Sequence, residues 1–213
     1  MNKKDLEAQF ETGLIIADVD PIDRPKIRAQ LGELEFKDEK TYEHSLRVGL
    51  IAQRIAEYLA IDSKAALFAG ALHDIGKADI PEEVLYRSNN SGFTEEDMSI
   101  MERHVGYGRV RLEEGGMPFT ARVIEGSHEH QRKPYPDNRI SPKTPFSQET
   151  IKKADEASVI LSIADKYDAA MTRYNNRNGN RELTSDRIRE SIIEEMPSHT
   201  SLINNLYENK VLE

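Results

Sequence analysis

The stretch TYEHSLRVGLIAQRIAEYLAI, residues 41–61, decides the fold class. Leu46, Val48, Leu50, Ile51, Ile55, Ala56 and Leu59 recur at three- and four-residue steps and make one broad apolar face. The flanking segments read the same way. Towards the N-terminus, Leu6, Phe10, Leu14 and Ile15 form the buried stripe expected of a first helix. Pro21 and Pro25 break that pattern, and a second helix is expected from about Pro25 to Phe36. Towards the C-terminus, Asp62-Ser63 reads as a cap opening a helix over Lys64–Asp74, with Gly76 placed as a C-terminal glycine.

The remainder keeps to the helical period. Thr94 precedes Glu95 and Glu96 as an N-cap with carboxylates in the first turn. Gly106 and Gly108 are expected to interrupt that helix, and Gly115-Gly116 to end the piece beyond them. Phe119–Gly126, Thr150–Thr172, Leu183–Met196 and Ser201–Leu206 complete the series. No alternating strand pattern and no internal repeat is present, so the expected class is all-α.

One segment departs from this. Gln131–Gln148 carries prolines at 134, 136, 142 and 145 and no helical stripe, and its Arg132, Lys133, Arg139 and Lys143 face only Asp137 in a chain of net charge −9. A loop of that length within a compact domain calls for a role. A solvated surface loop and a cover over a site are both open readings.

Composition narrows the chemistry. The 213 residues suit one domain, with or without a small appendage. Cysteine is absent, which excludes disulfides, cysteine nucleophiles, iron–sulfur clusters and thiolate zinc sites. Any metal must then be held by nitrogen and oxygen. The longest strongly apolar run, Ala65–Leu72, falls far short of the roughly 20 residues of a bilayer span. The N-terminal residues lack the apolar core of a signal peptide. A soluble, cytoplasmic protein with no membrane partner is the expectation. The acidic balance argues against a nucleic-acid polymer as partner, while a small anionic substrate stays open.

Six histidines are present, His44, His73, His104, His128, His130 and His199. His73-Asp74 ends the apolar run, where an imidazole and a carboxylate without partners would be costly. A divalent cation is one partner that satisfies both. The carboxylate has two oxygens and can bridge two cations, while the imidazole holds one of them terminally. Such ligands suit iron, manganese, zinc or nickel better than calcium.

Five segments stand in order along the chain. They are Tyr42-Glu43-His44-Ser45-Leu46-Arg47-Val48; Leu72-His73-Asp74-Ile75-Gly76-Lys77 with Ile80-Pro81 and Val84-Leu85 beyond it; His104-Val105-Gly106-Tyr107; Val123-Ile124 through His128-Glu129 and on to Tyr135-Pro136; and Ile163-Ala164-Asp165-Lys166-Tyr167-Asp168-Ala169. Together, from about Glu39 to Asn180, they resemble the HD-domain metal-dependent phosphohydrolases, and among these the HD-GYP branch. The resemblance implies an HD-domain helical bundle over 37–213 with a metal site in its core, preceded by a helical extension over 1–36. That extension either caps the bundle or offers a surface to a protein partner in signalling.

The same resemblance implies two divalent ions, iron or manganese first, then zinc, nickel or magnesium. His44, His73, Asp74 and Asp165 would hold one, and Asp74 would bridge to a second held by His104 and His128. Lys77 would meet a phosphate oxygen and share the catalytic role with Asp74. Tyr135 and Arg173 or Arg177 would contact substrate, and Arg47 would orient the first helix or pair with a carboxylate. The implied activity is hydrolysis of a cyclic dinucleotide such as cyclic di-GMP by metal-activated hydroxide. The alternatives are a nucleotide phosphomonoesterase on the same metals and a catalytically silent nucleotide- or partner-binding module.

The chain departs from the branch at several places. Ser127 stands where a second histidine is usual, and Lys40 stands where some members carry a glutamate for a third metal. The Gly-Tyr-Pro signature is reduced to Pro134-Tyr135-Pro136. His130 and His199 have no counterpart in the family pattern.

Overall fold

In a computed structural model of the chain the described residues are 2–135, 145–177 and 184–213, with Asn89 and 173–177 described by backbone alone. Every regular element among them is helical: α1 (Lys3–Ile16), α2 (Arg24–Lys37), α3 (Glu39–Tyr58), α4 (Ser63–Leu72), a 3-10 turn (Ile75–Asp79), α5 (Glu82–Asn89), α6 (Glu95–Met101), α7 (His104–Glu114), α8 (Pro118–Gly126), α9 (Gln148–Arg177), α10 (Ser185–Glu195), a second 3-10 turn (Pro197–His199) and α11 (Thr200–Glu208). The all-α expectation therefore stands, and no described helix is long and apolar enough to cross a membrane.

Local chemistry sets the ends. Asp62 caps α4 by accepting from the Ala65 amide at 2.9 Å. Thr94 opens α6 in a reciprocal capping box with Asp97, each side chain accepting from the other's backbone N–H at 3.1 Å. The capping partner is not legible as such among three consecutive acidic residues.

The centre of the bundle is the pair α3 and α4, with α9 packed against both. These two helices touch backbone to backbone, because a Cβ on Gly70 would lie 2.7 Å from the Gly49 Cα. Any side chain at either position would push the helices apart. Leu46, Val48, Ile55, Leu67, Leu72, Ile160, Leu161 and Ile163 are buried around this contact. Leu6, Phe10, Leu14, Ile27, Leu31 and Leu34 from α1 and α2 join the same core.

Three expectations need correction. Ile15 is 60% exposed, and the buried stripe of α1 is Leu6, Phe10, Gly13 and Leu14. Gly13 lies against α3, where its carbonyl accepts from Gln53 Nε2 at 3.2 Å, and this turns Ile15 outwards. Gly106 and Gly108 do not interrupt a helix, since α7 runs through both. Gly76 is not a left-handed helix cap. It lies inside the 3-10 turn after Asp74, pressed against α7 so closely that a Cβ would overlap the His104 carbonyl and crowd the Gly108 amide at 2.4 Å of separation or less. Both Gly76 and Gly108 serve a close approach of backbones, which a one-dimensional reading takes for a break. Finally, α5 escapes the periodic reading, because only Val84 and Leu85 anchor it, in a small cluster with Ile80.

Candidate metal centre

These backbone contacts gather six side chains from separate parts of the chain. Because α3 and α4 cross in contact, His44 near the start of α3 lies beside His73 at the end of α4, their rings 5.2 Å apart. His44, His73 and Asp74 bring ligand atoms within 4.8 Å of one another. Asp165, midway along α9, completes that side, with Oδ1 3.1 Å from His44 Nε2 and 3.9 Å from His73 Nε2. The Gly76 contact carries the start of α7 to the other side, where His104 Nε2 stands 3.4 Å from Asp74 Oδ1. His128, two residues past α8, meets His104 edge to face at 5.5 Å.

Asp74 is thus shared between two groups. Its Oδ2 faces His73 Nε2 at 3.4 Å and His44 Nε2 at 3.9 Å, while Oδ1 faces His104. The carboxylate is 2% exposed, so water satisfies little of it. Lys77 Nζ donates to Oδ2 at 2.6 Å. Burial works against the charge of Asp74, yet His73 and Lys77 hold its carboxyl well below the usual range. Asp165 is likewise buried and likewise held low, chiefly by its hydrogen bond with His44.

The tautomers show what the cluster can accept. His73 Nδ1 donates to the Gly70 carbonyl at 2.8 Å, and His104 Nδ1 donates to the Met101 carbonyl at 2.6 Å. A carbonyl only accepts, so Nδ1 carries a proton in both rings, and in the neutral His104 ring Nε2 bears a lone pair. That lone pair points at Oδ1 of the ionised Asp74 carboxylate, acceptor against acceptor. His104 Nε2 is buried and has no hydrogen-bond partner among the described residues. Burial pushes the His104 imidazole down to about 4 and that of His128 to about 3, so both rings are neutral. A divalent cation resolves this conflict, and the anchored Nδ1–H is the outer contact that orients metal-ligating histidines. The residues fit a metal centre.

One member of this arrangement has no role that the sequence alone assigns. Asp168, 3% exposed, accepts from His44 Nδ1 at 2.7 Å and from Arg47 Nε and Nη2 at 2.7 and 3.1 Å. Burial disfavours its charge, but His44 and Arg47 together pull its carboxyl down. For His44, burial opposes protonation while the hydrogen bonds to Asp165 and Asp168 raise it to about 9. A signal is present in the spacing: Asp165 and Asp168 are three apart on a helix and share a face, as do His44 and Arg47. The carboxylate partner expected for Arg47 is this residue.

Tyr135 stacks on His128, ring centroids 4.4 Å apart and planes at 15°. Ser127, in the place of a usual histidine, is buried and donates to the Ile124 carbonyl at 2.8 Å. Lys40 is exposed. The side chains of Arg173 and Arg177, and residues 136–144 of the proline-rich loop, lie outside the described residues.

A family model described as HD domain matches residues 41–170. A cyclic di-GMP phosphodiesterase of Thermotoga maritima is 29% identical over 146 residues, covering 65% of this chain and 36% of that protein. The 3'3'-cGAMP-specific phosphodiesterase 2 of Vibrio cholerae is 25% identical over 198 residues, covering 89% of this chain and 35% of its own length. The chain therefore spans little more than a third of these relatives. Among solved structures, the HD domain of the L. monocytogenes phosphodiesterase PgpH in complex with cyclic-di-AMP shares the fold, with a TM-score of 0.53, 20% identity and 85% of each chain covered.

Proposed function

Because this chain belongs to the HD domain family, and the matched segment spans the whole histidine–aspartate cluster, we propose that it is a metal-dependent phosphodiesterase of the HD-GYP branch that cleaves a cyclic dinucleotide, cyclic di-GMP first. The observation that carries this reading is the placement of the His73 and His104 Nε2 atoms against opposite oxygens of Asp74. In this reading His44, His73, Asp74 and Asp165 hold one cation, and Asp74, His104 and His128 hold a second. Iron or manganese suits such nitrogen and carboxylate ligands. When bound, the cations supply Lewis-acid charge to phosphoryl oxygens and lower the pKa of coordinated water.

The protein's own groups do the rest. Arg47 and Asp168 fix the His44 ring, and the Gly70 and Met101 carbonyls fix those of His73 and His104. Lys77, 16% exposed at its side chain, sits at the edge of the cluster with its ammonium on Asp74. An arriving phosphate offers it a second anionic partner, which positions the substrate. Tyr135 packs over His128 and flanks the substrate. The relatives' activities on cyclic di-GMP and cGAMP support a dinucleotide.

The deciding experiment is hydrolysis by protein loaded anaerobically with Mn²⁺ or Fe²⁺, comparing cyclic di-GMP, 3'3'-cGAMP, cyclic di-AMP and a mononucleotide, beside Asp74→Ala. Turnover of a cyclic dinucleotide that vanishes in the variant is the expected result. Turnover of the mononucleotide alone would make it a phosphomonoesterase. Bound metal without turnover of any of these substrates would turn the reading to a binding module, and absence of bound metal would overturn the centre itself.

A further inference from the structure

The two histidines without a family counterpart form a third imidazole pair. His130, on the segment after α8, and His199, in the 3-10 turn before α11, have ring centroids 5.3 Å apart with planes at 80°. The two pairs of the metal centre have nearly the same relation, 5.2 Å and 72° for His44 with His73, and 5.5 Å and 78° for His104 with His128. All six histidines of the chain are thus paired, and the third pair lies outside the metal centre.

Hydrogen bonding sets the tautomer of His130. Ser158 Oγ donates its single proton to the Asp155 carbonyl at 2.8 Å. In its 2.9 Å contact with His130 Nε2, Ser158 Oγ must then accept, so Nε2 carries the proton and Nδ1 of the neutral ring keeps a lone pair. His130 therefore has the same outer anchoring as His73 and His104: one ring nitrogen spent on a fixed acceptor, the other not so spent. Both rings are half-buried, which leaves room for solvent to complete a coordination sphere.

We propose that His130 and His199 form a peripheral binding site for a transition cation, with water as the remaining ligands. Two imidazoles without a thiolate select Zn²⁺, Ni²⁺ or Cu²⁺ and discriminate against Mg²⁺ and Mn²⁺. The site clips the turn between α10 and α11 to the segment that bears His128 and Tyr135, so occupancy stiffens one wall of the main centre without adding a ligand to it.

Equilibrium dialysis against Zn²⁺ tests this. Asp74→Ala, which disables the main centre, is expected to keep a bound Zn²⁺ that is lost when either His130→Gln or His199→Gln is added. In the otherwise native protein, His199→Gln is expected to lower the Zn²⁺ count by one while leaving Mn²⁺ content and hydrolysis unchanged. Failure of the main centre would show as lost Mn²⁺ in the native protein, a separate readout. The proposal falls if Zn²⁺ stoichiometry is indifferent to both substitutions, or if Mn²⁺ competes for the same ion position as well as Zn²⁺ does. Should Asp74→Ala fail to fold, the comparison of native protein with His199→Gln decides alone.

Discussion

The two sides of the candidate centre are built differently. One side rests on the long helices α3 and α9 and the end of α4, and it is rich in carboxylates: Asp165 and a share of Asp74 face His44 and His73, with Asp168 and Arg47 behind. The other hangs on helix ends, His104 at the first residue of α7 and His128 beyond the last of α8, with two neutral imidazoles and one oxygen of Asp74. More negative charge and firmer anchoring favour tighter metal binding at the first side. The second owes its position to the contact of Gly76 with α7 and its wall to Tyr135.

The most severe way to break this comparison is to remove what both sides share. Asp74→Ala is expected to abolish metal retention at the centre and lower hydrolysis by about 1,000-fold or more, since metal charge stabilisation amounts to several kcal/mol. Elemental analysis beside steady-state assays measures it. Asp168→Asn acts on the first side alone. It should weaken metal there by roughly 10–100-fold, the usual cost of an outer contact, while the second side keeps its affinity. Calorimetric titration resolving two classes of site would show the asymmetry; equal weakening at both would end it.

Gly76→Ala addresses the second side. Crowding the His104 carbonyl should cost about 1–3 kcal/mol of stability, as overpacking does. It should also shift His104 away from Asp74, so that one metal is lost and one retained. Thermal denaturation with metal counting tests both consequences. The smallest effect belongs outside the centre: Thr94→Ala removes the α6 cap and should cost about 1 kcal/mol. That corresponds to roughly 2–4 °C in Tm for a chain of this size, with metal content unchanged.

The same contrast explains what is readable in advance. Positions on the long helices are legible because periodic burial repeats many times along α3, α4 and α9, and each repeat tests the last. Thr94 and Asp62 are legible as caps because their chemistry is local. Gly76 and Gly108 mislead, since a glycine that ends a helix and one that admits a neighbouring backbone are the same letter. Asp168 stands in a family-like segment without a role of its own, because an outer contact is defined only by where His44 and Arg47 come to lie. The HD relationship rests on the order of five segments, and the matched span 41–170 contains all the ligands proposed for the main centre.

By itself, then, the sequence determined the helical class and the absence of thiolate chemistry, since period and residue type are properties of the chain alone, while the histidines and aspartates proposed as ligands came from its resemblance to a family. Only the tertiary structure decided how Asp74 divides its two oxygens, that Asp168 and Arg47 hold His44, and that His130 meets His199. Most of those relations join residues tens to more than a hundred positions apart, a separation that no local pattern encodes.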